Sequence, residues 1–216
     1  MNQPVIFDMD GVLLDTERLI WRCWGETEGE FGITGTQAVL RTLFGTNQEN
    51  FSRQMKAHYG QDFPYDAFHE AYRSRFFAIT DAEGVPVKKG VRELLDYLKG
   101  EGAPLAVASS TRREVVEREL ESAGLLHYFD HIVGGRDIAK SKPAPDIYLL
   151  ACRRLGADPA DCYGIEDSYN GVRAVHNAGM HPIMVPDQLP PTAEMEQLAA
   201  IFPDLLALRD FWKEGD

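Results

Sequence analysis

The sequence predicts an α/β protein built on an open, doubly wound parallel sheet. Short apolar runs alternate with helical patterns over most of the chain, and polar residues suited to chemistry follow several of those runs. Residues 17–81 differ, because they hold apolar side chains at helical spacing and show no strand pattern. They predict an all-helical insert between the first strand and the rest of the sheet.

Length and composition suit a folded enzyme of modest size. The chain has 216 residues, 44% of them hydrophobic and 26% charged, enough for one sizeable core with a smaller insert. No apolar run approaches the roughly 18 residues of a membrane helix. The opening residues, MNQPVIFDMDG, have no basic segment and predict a first strand rather than a signal peptide. We therefore expect a cytoplasmic protein with no membrane partner.

Charge and cysteine content exclude further classes. The net charge of −12 disfavours non-specific nucleic-acid binding, so we expect no nucleic-acid partner. The three cysteines are an odd number without C-x-x-C spacing. That count argues against a disulfide framework and a thiolate zinc site, and it fits buried thiols in a reducing compartment.

Five short apolar runs predict strands. Residues 4–8, PVIFD, form a short apolar run that ends in a polar residue. Strands that alternate with helices imply a parallel sheet covered on both faces. The later predicted strands lie within 103–110, 129–135, 161–167 and 181–186.

Helical patterns separate these strands. The apolar residues from Val91 to Leu98 follow i, i+3, i+4, i+7 spacing and stop before Gly100. Thr111 and Glu114 predict a capping box at the start of the next helix. Two more predicted helices lie at 145–156 and 172–179.

The insert predicts two domains. Residues 1–16 and 82–216 would form the α/β core, and residues 17–81 would form a separate helical cap. The other interpretation is that the extra helices simply pack on the sheet. The length of the insert favours a cap.

Polar side chains follow four of the predicted strands. Ligands of open α/β sheets bind beyond the carboxyl ends of the strands, so we expect these side chains to converge on one edge. Each alone is weak evidence, but together they indicate a site. The set is Asp8, Asp10, Ser109, Ser110, Lys142, Glu166 and Asp167.

The residue types indicate the chemistry. A cluster of carboxylates without nearby histidine or cysteine suits a hard cation, and Mg²⁺ is the best candidate. Lys142 supplies a point charge for a phosphoryl oxygen, and Ser109 supplies a hydrogen-bond donor. Backbone amides near Asp10 and Ser110 favour an anion-binding nest. Together these groups predict metal-assisted phosphoryl transfer.

The two neighbouring aspartates predict two different roles. Carboxylates this close repel each other unless a proton or a cation separates them. Asp8 can attack phosphorus and form an aspartyl-phosphate. Asp10 can protonate the leaving oxygen and then deprotonate the water that hydrolyses the intermediate.

Four motifs make the sequence resemble the haloacid-dehalogenase-type hydrolase superfamily. They are FDMDGVLLDTE, VASS, SKPAPD and GIEDSYNGVRA, within residues 5–174. The closest subgroup carries a helical cap inserted after the first motif. The resemblance implies a Rossmann-like core with an all-helical cap domain.

The resemblance also implies roles for the acidic residues. Asp8 corresponds to the nucleophile and Asp10 to the acid/base. Mg²⁺ would be bound by Asp8, the backbone carbonyl of Asp10 and Asp167, with Glu166 at or near the metal. An aspartate at position 10 favours phosphoryl transfer over dehalogenation.

Further residues would contact the substrate. By resemblance, Ser109 and Lys142 hold the phosphoryl group, and we place Ser110 beside them. Arg112 is a candidate contact for a more distant part of the substrate. We expect a small phosphorylated metabolite, such as a sugar or nucleotide phosphomonoester, and a monomeric enzyme.

Two alternatives to a phosphatase stay open. A beta-phosphoglucomutase-type enzyme would have a histidine where this chain has Ile20 and a cap arginine where it has Gln48. Both departures weaken that interpretation, although Thr111, Arg112 and Arg113 could contact a second phosphate. A phospho-acceptor signalling domain uses similar residues, but it lacks a long helical insert.

Overall fold

A computed structural model describes residues 2–41 and 48–215, with only the backbone described at residues 41, 48 and 49. Six strands form one sheet in the order β3-β2-β1-β4-β5-β6, and every neighbouring pair is parallel. The predicted fold class is therefore confirmed. The strands are β1 (Val5–Phe7), β2 (Leu105–Ala108), β3 (His131–Val133), β4 (Tyr163–Glu166), β5 (His181–Met184) and β6 (Ala200–Ile201).

Helices cover both faces of this sheet. Side chains alternate across a strand, so Val5 and Phe7 of β1 enter one apolar cluster while Ile6 enters the other. The helices are α1 (Thr16–Glu28), α2 (Thr36–Arg41), α3 (Gln48–Tyr59), α4 (Tyr65–Glu83), α5 (Val91–Gly100), α6 (Arg113–Ser122), α7 (Asp146–Leu155), α8 (Tyr169–Asn177), α9 (Ala193–Leu198) and α10 (Leu205–Glu214).

At the central strand β1 the order of the strands switches sides: β2 and β3 are added on one side, and β4, β5 and β6 on the other. Strand β1 pairs with β2 on one side and with β4 on the other, although those strands follow much later in the sequence. Such a switch point leaves a crevice beyond the carboxyl ends of the strands, and ligands of doubly wound sheets bind there. The loops after β1, β2 and β4 therefore meet at this crevice.

Helices α1–α4, called the cap helices below, account for the predicted insert. They have an apolar cluster of their own, in which the indole ring of Trp24 packs edge-on against Phe68 with ring centroids 5.2 Å apart. The division at residues 17 and 81 stays a prediction. Within the described ranges, no helix is long and apolar enough to span a membrane.

Two local predictions were wrong or incomplete. Thr111 does not cap α6, whose N-cap is Arg112 without a side-chain hydrogen bond. The Thr111 hydroxyl instead donates to Asp10, a partner that competes with any capping role. Strand β6 was missed because it has only two residues, too few to show a periodic pattern. The three cysteines are free and buried.

Candidate active site

Asp8 leaves the end of β1 and enters the crevice. Its backbone N–H donates to the carbonyl of Ile165 at 2.9 Å, which extends the pairing with β4 by one residue. Its carboxylate accepts from the Lys142 ammonium at 2.9 Å. Burial raises the pKa of Asp8 to about 7 and outweighs the opposing effect of Lys142.

Asp10 is held by hydroxyl groups. Thr16 donates to one carboxylate oxygen at 2.5 Å, while Thr111 and Ser109 donate to the other at 3.3 and 3.5 Å. Burial raises the pKa of Asp10, and these hydroxyls oppose that shift. Asp10 is therefore a carboxyl group that is fixed in place and retains a proton more readily than a solvated one.

Lys142 lies at the centre of the buried polar network. An ammonium has three protons, and here each finds an acceptor: Asp8 at 2.9 Å, Glu166 at 2.6 Å and the carbonyl of Ala108 at 3.1 Å. Burial acts to lower the pKa of Lys142, but the charges of Asp8 and Glu166 outweigh it and raise the pKa. Lys142 is thus a permanent, positioned cation.

Glu166 ends β4 and is fully buried. Besides Lys142, it accepts from the Tyr148 hydroxyl at 2.6 Å and from the Ser168 hydroxyl at 3.2 Å. A Cβ on Gly171 would lie 1.9–2.1 Å from the Glu166 carboxyl group, so only glycine fits at the start of α8. The carboxylate is bound by protein donors on both oxygens, which suits it to orient Lys142.

Asp167 faces the loop after β1. Gly11 has φ +80°, and a Cβ there would lie 2.4 Å from an Asp167 carboxylate oxygen. Burial raises the pKa of Asp167, and Glu17 and Glu166 add to that shift. Ligand oxygens of Asp8, Glu166 and Asp167 lie within 4.8 Å of one another.

A cavity of about 260 Å³ lies over these groups. Its sheet end is formed mostly by residues that follow the strands, and its helix end by α4, the facing side of α6 and residues of α1, α2 and α3. At the sheet end lie Asp8, Asp10, Glu17, Ser110, Thr111, Lys142, Asp167 and Ser168. At the helix end lie Ile20, Leu40, Phe51, Tyr65, His69, Tyr72, Arg73, Phe76, Phe77, Arg112, Val115 and Glu119.

The structure brings the predicted carboxylates and Lys142 together. Ser110 and Arg112 line the cavity. Ser109 is fully buried, and its hydroxyl accepts from the Thr111 amide at 3.1 Å. Ile20 lines the cavity, while the side chain of Gln48 lies outside the described residues.

Several site residues were missed by the sequence analysis. Thr16 and Thr111 fix Asp10, and Tyr148 fixes Glu166. Thr111 and Tyr148 contact residues that are distant in sequence, so nothing local marks them. Thr16 lies six positions after Asp10, but that spacing alone does not show that the two side chains are bonded. Glu119 had a signal: it precedes the core residue Leu120 on a helix whose inner face is otherwise apolar.

Fold and site together define a class of protein. A buried lysine, a pair of aspartates and an oxygen-only ligand cluster meet at the switch point of a doubly wound sheet, which is the arrangement of an enzyme acting on an anionic group. The family model described as haloacid dehalogenase-like hydrolase matches residues 5–185. The chain belongs to this family.

Curated relatives agree with that assignment. A probable pseudouridine-5′-phosphatase of Drosophila melanogaster is 33% identical over 97% of this chain and 91% of its own length. A phosphorylated carbohydrates phosphatase of Thermotoga maritima is 36% identical over 84% of this chain and 83% of its own length. Each is similar to this chain over more than four fifths of both lengths.

A solved structure has the same fold. CbbY from Rhodobacter sphaeroides, in complex with phosphate, superimposes with a TM-score of 0.79 and 28% identity over 96% of each chain. The predicted family is confirmed, and so is the predicted enzyme class, a phosphoric monoester hydrolase.

Proposed function

We propose that this chain is a Mg²⁺-dependent phosphatase that hydrolyses a small phosphomonoester through an aspartyl-phosphate on Asp8. One observation carries the proposal. Asp8, Asp10 and Lys142 line the same end of one cavity, with Lys142 bonded to Asp8 and hydroxyls fixing Asp10. A nucleophile, an acid and a cation therefore face one enclosed space.

The ligand set fits Mg²⁺. Asp8 and Asp167 offer carboxylate oxygens close together, and burial raises both pKa values, so a bound cation would offset a real electrostatic cost. Hard oxygen donors suit Mg²⁺, which keeps room for water and phosphate oxygens. We propose Asp8, the Asp10 carbonyl and Asp167 as ligands, with Glu166 beside them. When bound, the ion would neutralise charge on the phosphoryl oxygens.

The first step uses both aspartates. An Asp8 carboxylate oxygen forms a bond to phosphorus while the bond from phosphorus to the leaving oxygen breaks. Asp10 gives its proton to that leaving oxygen, which departs as an alcohol. The raised pKa of Asp10 supports this role, because the acid must hold a proton before it donates it.

The second step reverses the part played by Asp10. Its carboxylate accepts a proton from a water molecule, whose oxygen attacks phosphorus. The bond between Asp8 and phosphorus breaks, and inorganic phosphate leaves. Lys142 stays bonded to Asp8 and Glu166 through both steps and supplies a fixed positive charge.

The relatives support a small phosphorylated substrate. Their names mention pseudouridine 5′-phosphate and phosphorylated carbohydrates, which share a phosphate monoester on a hydroxylated skeleton. A phosphomutase would use the same first step and retain a second phosphate. Ile20, an aliphatic side chain in the cavity, favours the phosphatase, because it offers no proton donor or acceptor there.

Phosphate release from a panel of sugar, nucleotide and small-acid monophosphates tests the proposal. We expect release that requires Mg²⁺ and stops with a chelator. The panel includes beta-glucose 1-phosphate with a glucose 6-phosphate readout. Isomerised product without free phosphate would establish the mutase, and metal-independent release would contradict the proposed cofactor.

A further inference from the structure

At the helix end of the cavity, side chains at regular helical spacing line the walls. None of them takes part in the catalytic steps proposed for the sheet end. Most of the cap wall comes from one face of α4, at spacings of i, i+4, i+7, i+8, i+11 and i+12, and Ile20, Leu40 and Phe51 of α1–α3 complete it. Most of the α4 side chains in this wall are aromatic. The α4 residues are Tyr65, His69, Tyr72, Arg73, Phe76 and Phe77.

The opposite wall comes from α6 and its N-cap. Arg112, Val115 and Glu119 follow i, i+3, i+7 spacing and face the cavity. Glu119 is only 6% exposed. A buried carboxyl group in a mostly apolar wall is costly unless it gains hydrogen bonds, so its presence calls for a partner. The catalytic steps give it none.

Glu119 lines the same cavity as the reacting groups at the sheet end. Glu119 lies seven positions after Arg112, a distance of about 10 Å along the helix. Asp10 is nevertheless close enough to raise the pKa of Glu119. Asp10 and Glu119 line the same cavity, so a group attached to the leaving oxygen can extend from Asp10 towards Glu119.

Charged neighbours surround this carboxyl group. Burial raises the pKa of Glu119 to about 8, the charge of Asp10 adds to that shift, and Arg73 and Arg118 oppose it. Both guanidinium groups also pack on the Phe77 ring, at 5.0 and 4.5 Å from its centroid. In either protonation state, the carboxyl group accepts hydrogen bonds, and when protonated it also donates one.

We propose that Glu119 is a specificity-determining residue that hydrogen-bonds hydroxyl groups of the leaving group. The preferred substrate is then the monophosphate of a polyhydroxylated compound, a sugar or a polyol, rather than an alkyl or simple aryl phosphate. Aliphatic faces of such a skeleton pack on the α4 aromatics, and its hydroxyls meet Glu119. This inference rests on the proposed phosphatase activity and narrows its substrate class.

Paired substrates of equal chain length test the proposal. Ribitol 5-phosphate and pentyl phosphate both have five carbons. Hydrolysis of p-nitrophenyl phosphate measures the basal phosphatase activity. We expect the enzyme to prefer the polyol at least tenfold in kcat/KM. Glu119→Met, which keeps the volume and removes the hydrogen bonds, should lower kcat/KM for ribitol 5-phosphate about 10- to 100-fold, mostly through KM. Pentyl phosphate hydrolysis should change less than twofold.

Two further variants sharpen the test. Glu119→Gln keeps the hydrogen-bonding oxygen and should retain most of the polyol preference. Glu117→Met makes the same substitution at a position bonded to Arg113 outside the cavity lining, and it should change neither substrate. Thermal melting of each variant confirms that it is folded.

The outcomes separate this inference from the proposed function. Phosphate release without polyol preference, or equal losses for both substrates in Glu119→Met, would overturn the role of Glu119 and leave the phosphatase intact. No release from p-nitrophenyl phosphate or from any sugar, polyol or alkyl monophosphate would overturn both.

Discussion

The two ends of the cavity are built on different principles. At the sheet end, Lys142 uses all three protons on protein acceptors and Glu166 accepts on both oxygens. At the helix end, aromatic rings dominate, and the hydroxyl of Tyr65 is buried without a hydrogen-bond partner. The network around Lys142 and Glu166 is therefore preorganised by the protein alone, whereas the aromatic helix end has bonding capacity left for a ligand.

Different backbone elements explain the contrast. Sheet-end residues follow strands whose register is fixed by main-chain pairing, so small displacements are resisted. Helix-end residues lie on helix faces, where a substitution changes one side chain without altering the strand pairing. Chemistry and specificity can therefore change independently in this chain, and the predictions below test that separation.

Asp8→Asn should produce the largest effect. The amide cannot act as the nucleophile, so we expect kcat to fall by about 10⁴-fold or more. The chain should stay folded, because Lys142 keeps two other acceptors. Steady-state kinetics with p-nitrophenyl phosphate, alongside a thermal melt, measures both. Substantial residual turnover would exclude Asp8 as the nucleophile.

Asp10→Asn should come next. Loss of the acid and base should lower kcat by about 10²- to 10⁴-fold. Mg²⁺ affinity, measured by calorimetry, should change little, because the proposed ligand at this position is the backbone carbonyl. A loss of metal binding would show instead that the Asp10 side chain is a ligand.

Substitution of one glycine in α8, beside the site, and one in the cap helix α1 tests how closely each region is packed. Gly171→Ala places a Cβ 1.9–2.1 Å from the Glu166 carboxyl group, whereas nothing lies within 4 Å of a Cβ at Gly25 in α1. We expect Gly171→Ala to lose at least about tenfold in kcat and to melt lower, because Glu166 must move. Gly25→Ala should keep its activity and gain about 0.5–1 kcal/mol in the free energy of unfolding. Equal behaviour of the two variants would contradict the close packing around Glu166.

The free energy of unfolding should depend on pH through the carboxyl group of Glu119. The pKa of Glu119 is raised from 4.5 to about 8, so the folded state favours the protonated form. Wild-type stability should therefore fall relative to Glu119→Gln as the pH rises from about 4.5 to 8, and the difference should then level off. We expect a change of up to about 5 kcal/mol in the free energy of unfolding, because each tenfold change in proton affinity contributes about 1.4 kcal/mol.

Denaturant titrations of the two proteins with a chelator present measure this difference. The carboxylates of Asp8 and Asp167 titrate in both, so the comparison isolates Glu119. Asp10, Arg73 and Arg118 are the charged groups facing it, and they are unchanged. A difference that is constant with pH would show that Glu119 is solvated rather than buried.

The sequence predicted the sheet end far better than the helix end. Asp8, Asp10 and Asp167 follow strands, and parallel strands bring their carboxyl ends to one edge whatever the rest of the chain does. The bonds from Thr16 and Tyr148 depend on helix placement, which local spacing does not determine. The capping box failed for the same reason.

The sequence did not predict the helix end of the cavity for a further reason. Aromatic residues at helical spacing on α4 predict an apolar face, but spacing does not distinguish a core-facing surface from a cavity wall. Only the facing side of α6 makes it a cavity wall. A charged residue at position 119, on the face of α6 that otherwise carries apolar residues, is a sequence feature that could have indicated it.

Detection of the phosphorylated enzyme tests the central claim most directly. A rapidly acid-quenched reaction with a ³²P-labelled substrate should yield protein-bound phosphate that hydroxylamine removes, and peptide mapping should place it on Asp8. The Asp8→Asn variant should carry none. Phosphate release in a single turnover without labelled protein, or label at another residue, would contradict the account.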